Sequence, residues 1–161
     1  MKLLELLAKL CAIVAGVLLT VITLMTCASL IGRNTTGWTI AGDFELTGVA
    51  AGAAVALFMP WCQLRQGNII VDFFTSRASE ATNAMLDRLG AFILGLVFAL
   101  LAWRTTLGAM NAYSTSSATM MLNFPEWIPY TAMVPPLVLT AVIGFTQAAL
   151  GFWPVDEESS T

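Results

Sequence analysis

The 161 residues are 58% hydrophobic and 11% charged, with a net charge of −3 and a mean hydropathy of +0.81. Soluble domains carry roughly 25% charged residues, so this chain has too few polar groups to coat a water-facing surface and reads as an integral membrane protein. The acidic balance and the lack of a basic run argue against a nucleic-acid partner, and the absence of histidine excludes His-ligated haem and most His-based metal or acid–base chemistry.

Lys2, Glu5 and Lys9 precede an uncharged run from Leu10 to Gly32. At about 1.5 Å per residue such a run crosses a roughly 30 Å hydrocarbon core. The apolar part of a cleaved signal peptide is shorter, roughly 7–15 residues. Residues 10–32 are therefore read as a retained first crossing. Leu24-Met25-Thr26-Cys27 has a faint likeness to a lipoprotein cleavage site, but Thr before the Cys fits poorly. Ala8, Ala12, Gly16 and Thr20 recur every four residues and suit close helix packing. Thr23 and Thr26 are expected to hydrogen-bond back to their own helix. A polar loop follows from Arg33 to Gly42, with Trp38 at the level of an interfacial aromatic belt.

The second crossing spans about residues 43–64. Gly48, Gly52 and Ala56 are spaced by four, as in helices that another helix approaches closely. Pro60 is expected to bend the last turn. Trp61-Cys62-Gln63-Leu64-Arg65 closes this run, and Gln66-Gly67-Asn68 breaks it. Over residues 69–86, Ile70, Phe73, Phe74, Ala78, Ala81 and Met85 fall on one side. Asp72, Ser76, Glu80 and Asn83 take the other. That pattern predicts an amphipathic helix lying in the membrane interface; a solvated loop is the alternative.

The third crossing is placed at about residues 87–107. Its small residues Ala91, Gly95 and Ala99 are positioned to meet those of the second crossing. A loop rich in Ser, Thr, Asn and Met leads to a fourth crossing at about 129–153, with Pro135-Pro136 early in it. Trp127 and Tyr130 mark one interface; Phe152 and Trp153 mark the other. The acidic tail, 154–161, is expected to be disordered. No internal repeat or linker divides the chain, so it is read as one membrane domain over 1–161.

Lys and Arg fix the expected orientation. Lys2, Lys9, Arg65, Arg77 and Arg88 fall on one side, and Arg33 and Arg104 on the other. The bias predicts both termini inside. The fold class is thus all-α: four transmembrane helices, N-in and C-in, with an interfacial helix between the second and third.

Glu45 and Arg104 sit at similar depth, at or just inside the outer boundary. An isolated charge at mid-bilayer costs about 2.5–3.5 kcal/mol on insertion scales, and less near the interface. They are expected to pair with each other or with a partner subunit; separate snorkelling is the alternative. Arg65 and Asp72 flank the inner turn and are candidates for the same role there. The cysteines Cys11, Cys27 and Cys62 form no CxxC and read as small apolar packing residues. No constellation of convergent acid–base or nucleophilic groups is found, so no catalytic, metal, substrate or cofactor residue is assigned. The chain reads as a supporting subunit and not as an enzyme.

Several short stretches carry a family likeness. They are Gly32-Arg33, Glu45-Leu46, Trp61 to Arg65 with Gly67 and Val71-Asp72, Leu86-Asp87-Arg88-Leu89, Ala102-Trp103-Arg104, and Pro125-Glu126-Trp127 through Pro135. In this order and spacing the chain resembles the small, DctQ-like membrane subunit of tripartite ATP-independent periplasmic (TRAP) transporters. It departs from the family at Asn68, where a His is often found, and no role is carried to that position. The resemblance implies a bacterial inner-membrane protein that partners a large transport subunit of roughly twelve helices. A soluble periplasmic protein would deliver substrate, mostly organic acids, and an ion gradient, usually sodium, would drive uptake. By position, Glu45, Trp61, Arg65, Asp72, Trp103 and Arg104 are candidates for subunit packing. Arg33, Trp38, Glu126 and Trp127 are candidates for the outer surface facing the binding protein. The alternatives are an anchoring or assembly subunit of another membrane complex, such as a respiratory one, and an intramembrane enzyme.

Overall fold

A computed structural model describes residues 2–67 and 80–152. They form four helices: α1 (Lys2–Thr35), α2 (Asp43–Leu64), α3 (Glu80–Ser114) and α4 (Trp127–Leu150). Each is long and apolar enough to cross a membrane. Most of the predicted interfacial helix, with Asp72 and Arg77, lies outside the described residues, as do Trp153 and the acidic tail.

The helices form an open layer in the order α1, α2, α4, α3. The backbone of α4 neighbours all three others, whereas α3 neighbours α4 alone. Two apolar clusters follow this order. Ala8, Leu64 and Ile143 join α1, α2 and α4, with Trp61 and Leu139 against them. Ala56, Ala102 and Leu137 join α2, α3 and α4, with Phe98 and Met133.

This order corrects the expected meeting of the small residues of the second and third crossings. The partner of α3 is Gly144 on α4. A Cβ built at Gly144 would lie 3.0 Å from both the Ala91 carbonyl oxygen and the Gly95 Cα. Gly95 in turn has Phe145 against it, 3.1 Å from an added Cβ, and Phe92 meets the Phe145 ring edge-on at 5.8 Å. On α2, Gly52 faces Met133 of α4, while an added Cβ at Gly48 meets nothing within 4 Å. Ala56 and Ala91 are buried and Ala99 is half-buried.

The expected stripe on α1 also changes. The buried residues are Ala8, Ala15, Ile22 and Ser29, seven apart. Gly16 has open space around it and Thr20 is exposed. The reason is geometric: four residues turn a helix by about 400°, so a four-residue repeat drifts roughly 40° per step. A seven-residue repeat stays on one side. Thr23 and Thr26 do bond back, to Leu19 and Ile22, and Thr26 also reaches Thr47 of α2 at 3.2 Å.

Helix α3 begins at Glu80 and continues to Ser114, beyond the loop start expected from its polar residues. Those residues lie on the exposed side or are satisfied locally: Thr106 donates to the Ala102 carbonyl at 2.8 Å. Meanwhile Ala102, Ala109 and Ala112 keep a buried stripe running. The helix then closes through Ser116 at φ 50°, with the Ser117 amide donating to the Ala112 carbonyl at 3.0 Å. The end of α2 repeats this geometry, with Gln66 at φ 54° and the Gly67 amide on the Cys62 carbonyl at 2.9 Å. Both are Schellman closures.

At that end of α2 lies a buried amide pair. Gln63 Nε2 donates to Gln147 Oε1 at 2.8 Å, and Gln147 Nε2 donates to the Gln63 carbonyl at 3.1 Å. The two residues are 4% and 1% exposed, so water cannot replace either bond. Removing one partner strands a buried polar group, at about 1–3 kcal/mol. We expect Gln63→Leu and Gln147→Leu each to lower stability in detergent. A double-mutant cycle should show a coupling of about 1 kcal/mol, within the range for intramembrane hydrogen bonds. Strictly additive losses would show that the pair contributes nothing.

Candidate functional site

The connections α1–α2 and α3–α4 lie at the same end of the layer, and Glu45 joins them. Its Oε1 accepts the Met121 amide at 2.9 Å and its Oε2 the Leu122 amide at 3.2 Å. The loop it holds is ordered from within. Thr119 and Phe124 are joined by a backbone bond of 3.0 Å, and Glu126 donates its amide to the Ser117 carbonyl at 3.0 Å. Asn123 sits at φ 52°. Gly42, at φ 75°, is required here twice over. Its backbone favours glycine, and any Cβ would collide with the Leu122 side chain.

The Glu45 carboxylate therefore holds loop amides and not Arg104, and among the described residues no ion pair joins the two. Arg104 and Trp103 stand on the exposed side of α3, with Trp103 62% exposed. Next to Glu45, the α1–α2 hairpin is tied by Ser29, whose hydroxyl donates to Asp43 Oδ2 at 2.5 Å and accepts the Ile40 amide at 3.4 Å.

Arg33 and Trp38 belong to this hairpin and are exposed. Trp38 lies against Gly32, where an added Cβ would come 2.7 Å from the Trp38 carbonyl oxygen. Glu126 and Trp127 belong to the other hairpin. Glu126 is the N-cap of α4 without a side-chain capping bond, and Trp127 meets the Tyr113 ring edge-on at 5.8 Å.

At the opposite end the Arg65 guanidinium stacks over the Trp61 ring, 4.9 Å from its centroid, a cation–π contact. Arg88 lies beside Gly151, the residue that closes α4; an added Cβ there would be 3.3 Å from Arg88 Nη2. A cation at a helix C-terminus is favourably placed. The six candidate packing residues thus do not converge. Trp61 and Arg65 lie at one end, Glu45 at the other, Trp103 and Arg104 on the flank of α3, and Asp72 outside the described residues. Sequence reasoning does not single out Gln63 and Gln147 as partners, although polar amides inside apolar helices are a signal in their own right.

The carboxylate clamp gives a direct expectation. Glu45→Ala should speed hydrogen exchange at the Met121 and Leu122 amides by roughly tenfold or more. Adding Arg104→Ala should neither restore nor worsen this. Recovery in the double variant would show that the arginine is the true partner.

The profile of one protein family, described as the DctQ component of tripartite ATP-independent periplasmic transporters, matches residues 22–152. Comparison with curated proteins and with solved structures gave no match. The matched stretch takes in all of the hairpin end, the Gln63–Gln147 pair and the α3–α4 contact. The chain is a member of the DctQ family of TRAP transporter components.

Proposed function

We propose that this protein is the small scaffold subunit of a TRAP-type secondary transporter. It holds a large membrane subunit in place while that subunit carries out ion-driven uptake of an organic acid delivered by a soluble binding protein. One observation carries the reading beyond family membership: the layer is open. Even α4, its most enclosed helix, has only 39% of its most apolar stretch buried, and the other three have 11–17%. Long apolar helices arranged side by side offer broad faces for lipid and for a larger protein partner.

The end latches suit a scaffold. The Gln63–Gln147 pair and the Glu45 clamp hold opposite ends of the layer, so its four helices move as one body against a mobile partner. The arginine and lysine bias supports both termini in the cytoplasm, which puts Glu45 and its loop on the side of the binding protein.

Two measurements test this. In liposomes, the large subunit with this chain should show uptake that depends on the binding protein and on an ion gradient. Omitting this chain should lower the rate by roughly tenfold or more; full uptake without it would overturn the proposal. For orientation, the native cysteines are replaced by Ala. A cysteine at Ser116 should then react with an impermeant maleimide in intact cells, and one at Lys2 should react only after lysis.

A further inference from the structure

Between the hairpin-end halves of α3 and α4 lies a cleft of about 610 Å³, lined by Thr106, Met110, Tyr113, Trp127, Thr131 and Val134 among others. Its wall is apolar even at the threonines. Thr106 and Thr131 each donate their hydroxyl to their own helix, to the Ala102 and Trp127 carbonyls at 2.8 Å. Their hydroxyls are therefore already bonded within their own helices. A second cleft of about 600 Å³ adjoins it at the α3–α4 loop, where Ser116, Ser117 and Asn123 contribute to its lining. Tyr113, Ser114 and Trp127 line both. The edge-on ring pair of Tyr113 and Trp127 thus stands between the two clefts, at the waist of the groove they make together.

The division of this groove follows the membrane. Arg88 and Tyr113 are separated by about 37 Å of helix, enough to cross the hydrocarbon core and enter the headgroup layer. Tyr and Trp rings favour that level. The apolar half then runs from the ring pair down into the acyl region, and the polar half runs from it into the headgroup region. Each half falls within the roughly 300–1,000 Å³ of ordinary small-molecule sites.

We propose that this groove binds one phospholipid, an acyl chain in the Met110–Val134 half and its headgroup between Ser116 and Asn123. The polar half is lined by hydroxyls and an amide, with no Lys or Arg. That donor set suits a zwitterionic headgroup over an anionic one, which would call for a cation. The proposal rests on the helices crossing a bilayer and not on the transport reading. A protein partner filling the same groove would need a side chain that is apolar below the rings and polar above them.

The test uses the full chain, moved from nanodiscs of phosphatidylethanolamine or of phosphatidylglycerol into mild detergent and examined by native mass spectrometry. Wild type should keep one phosphatidylethanolamine and keep it better than phosphatidylglycerol. Added phosphatidylethanolamine should also raise its melting temperature. Val134→Trp, which fills the apolar half, should lower retention at least fivefold and remove the thermal shift. Met110→Trp, from the facing helix, decides the matter if the first variant does not fold. Retention unchanged in a folded filling variant, or preferential retention of phosphatidylglycerol, would overturn the proposal. So would cross-linking of a cysteine at Met110 to the large subunit in the assembled transporter.

Discussion

Close backbone contact between Gly95 on α3 and Gly144 on α4 sets how closely α3 packs on the rest of the protein. In water, apolar side chains would drive that association. In a bilayer the lipid tails are as apolar as leucine, so association rests on van der Waals contact and on hydrogen bonds between helices. A methyl group at Gly144 would meet the Ala91 carbonyl and the Gly95 backbone at 3.0 Å. Both are backbone and cannot swing aside. Because α3 has no other backbone neighbour, this approach, with the Phe92–Phe145 and Ala102–Leu137 contacts along the same interface, holds the fourth member of the layer.

The remaining order comes from a few polar contacts placed at the ends. The Gln63–Gln147 pair ties α2 to α4 where Ala8, Leu64 and Ile143 cluster. Glu45 reaches across to the α3–α4 loop, although α2 and α3 share no backbone contact. Each hairpin is thus bound to the other at both ends, and the middle is left to apolar packing. Polar bonds are strongest where water is excluded and cheapest where it is near. The buried amides therefore serve chiefly stability, and the solvent-side carboxylate serves chiefly the shape of the loop.

What the sequence showed, and what it hid, follows from this division. Four apolar runs and their caps are one-dimensional signals, and they gave the helices. Pairing between helices is not one-dimensional. Small residues on the third crossing have small residues on both neighbours to choose from. Thr140, Gly144 and Ala148 on the fourth helix were as regularly spaced as Gly48, Gly52 and Ala56 on the second. Helix α3 runs on to Ser114, past the loop start that its serines and threonines suggest. Their back-bonding, and the alanine stripe beneath them, show a helix leaving the hydrocarbon core. Glu45 illustrates a further gap. A carboxylate near a membrane boundary suggests a basic side chain as partner, yet loop amides serve as well and leave no trace in composition.

The lengths of the helices add a last constraint. Helix α1, with 34 residues, is about 51 Å long, and even a 40° tilt leaves it spanning about 39 Å of depth. That exceeds the roughly 30 Å core and nearly fills the headgroup layers as well. Its charges respect this: between Lys9 and Arg33 lie only uncharged residues, over about 36 Å of helix. Helix α4 is shorter, with 24 residues, and begins with Trp127 at the waist of the groove. Tyr113, one residue before the end of α3, meets Trp127, the first residue of α4, edge-on, so the two helices end at the same level and the loop bridges them there. Loop residues Ser116, Ser117 and Asn123 line the polar half of the groove beside that pair. The same loop brings the Met121 and Leu122 amides to Glu45. The loop folded between two helix ends at one level thus shapes both the groove and the clamp.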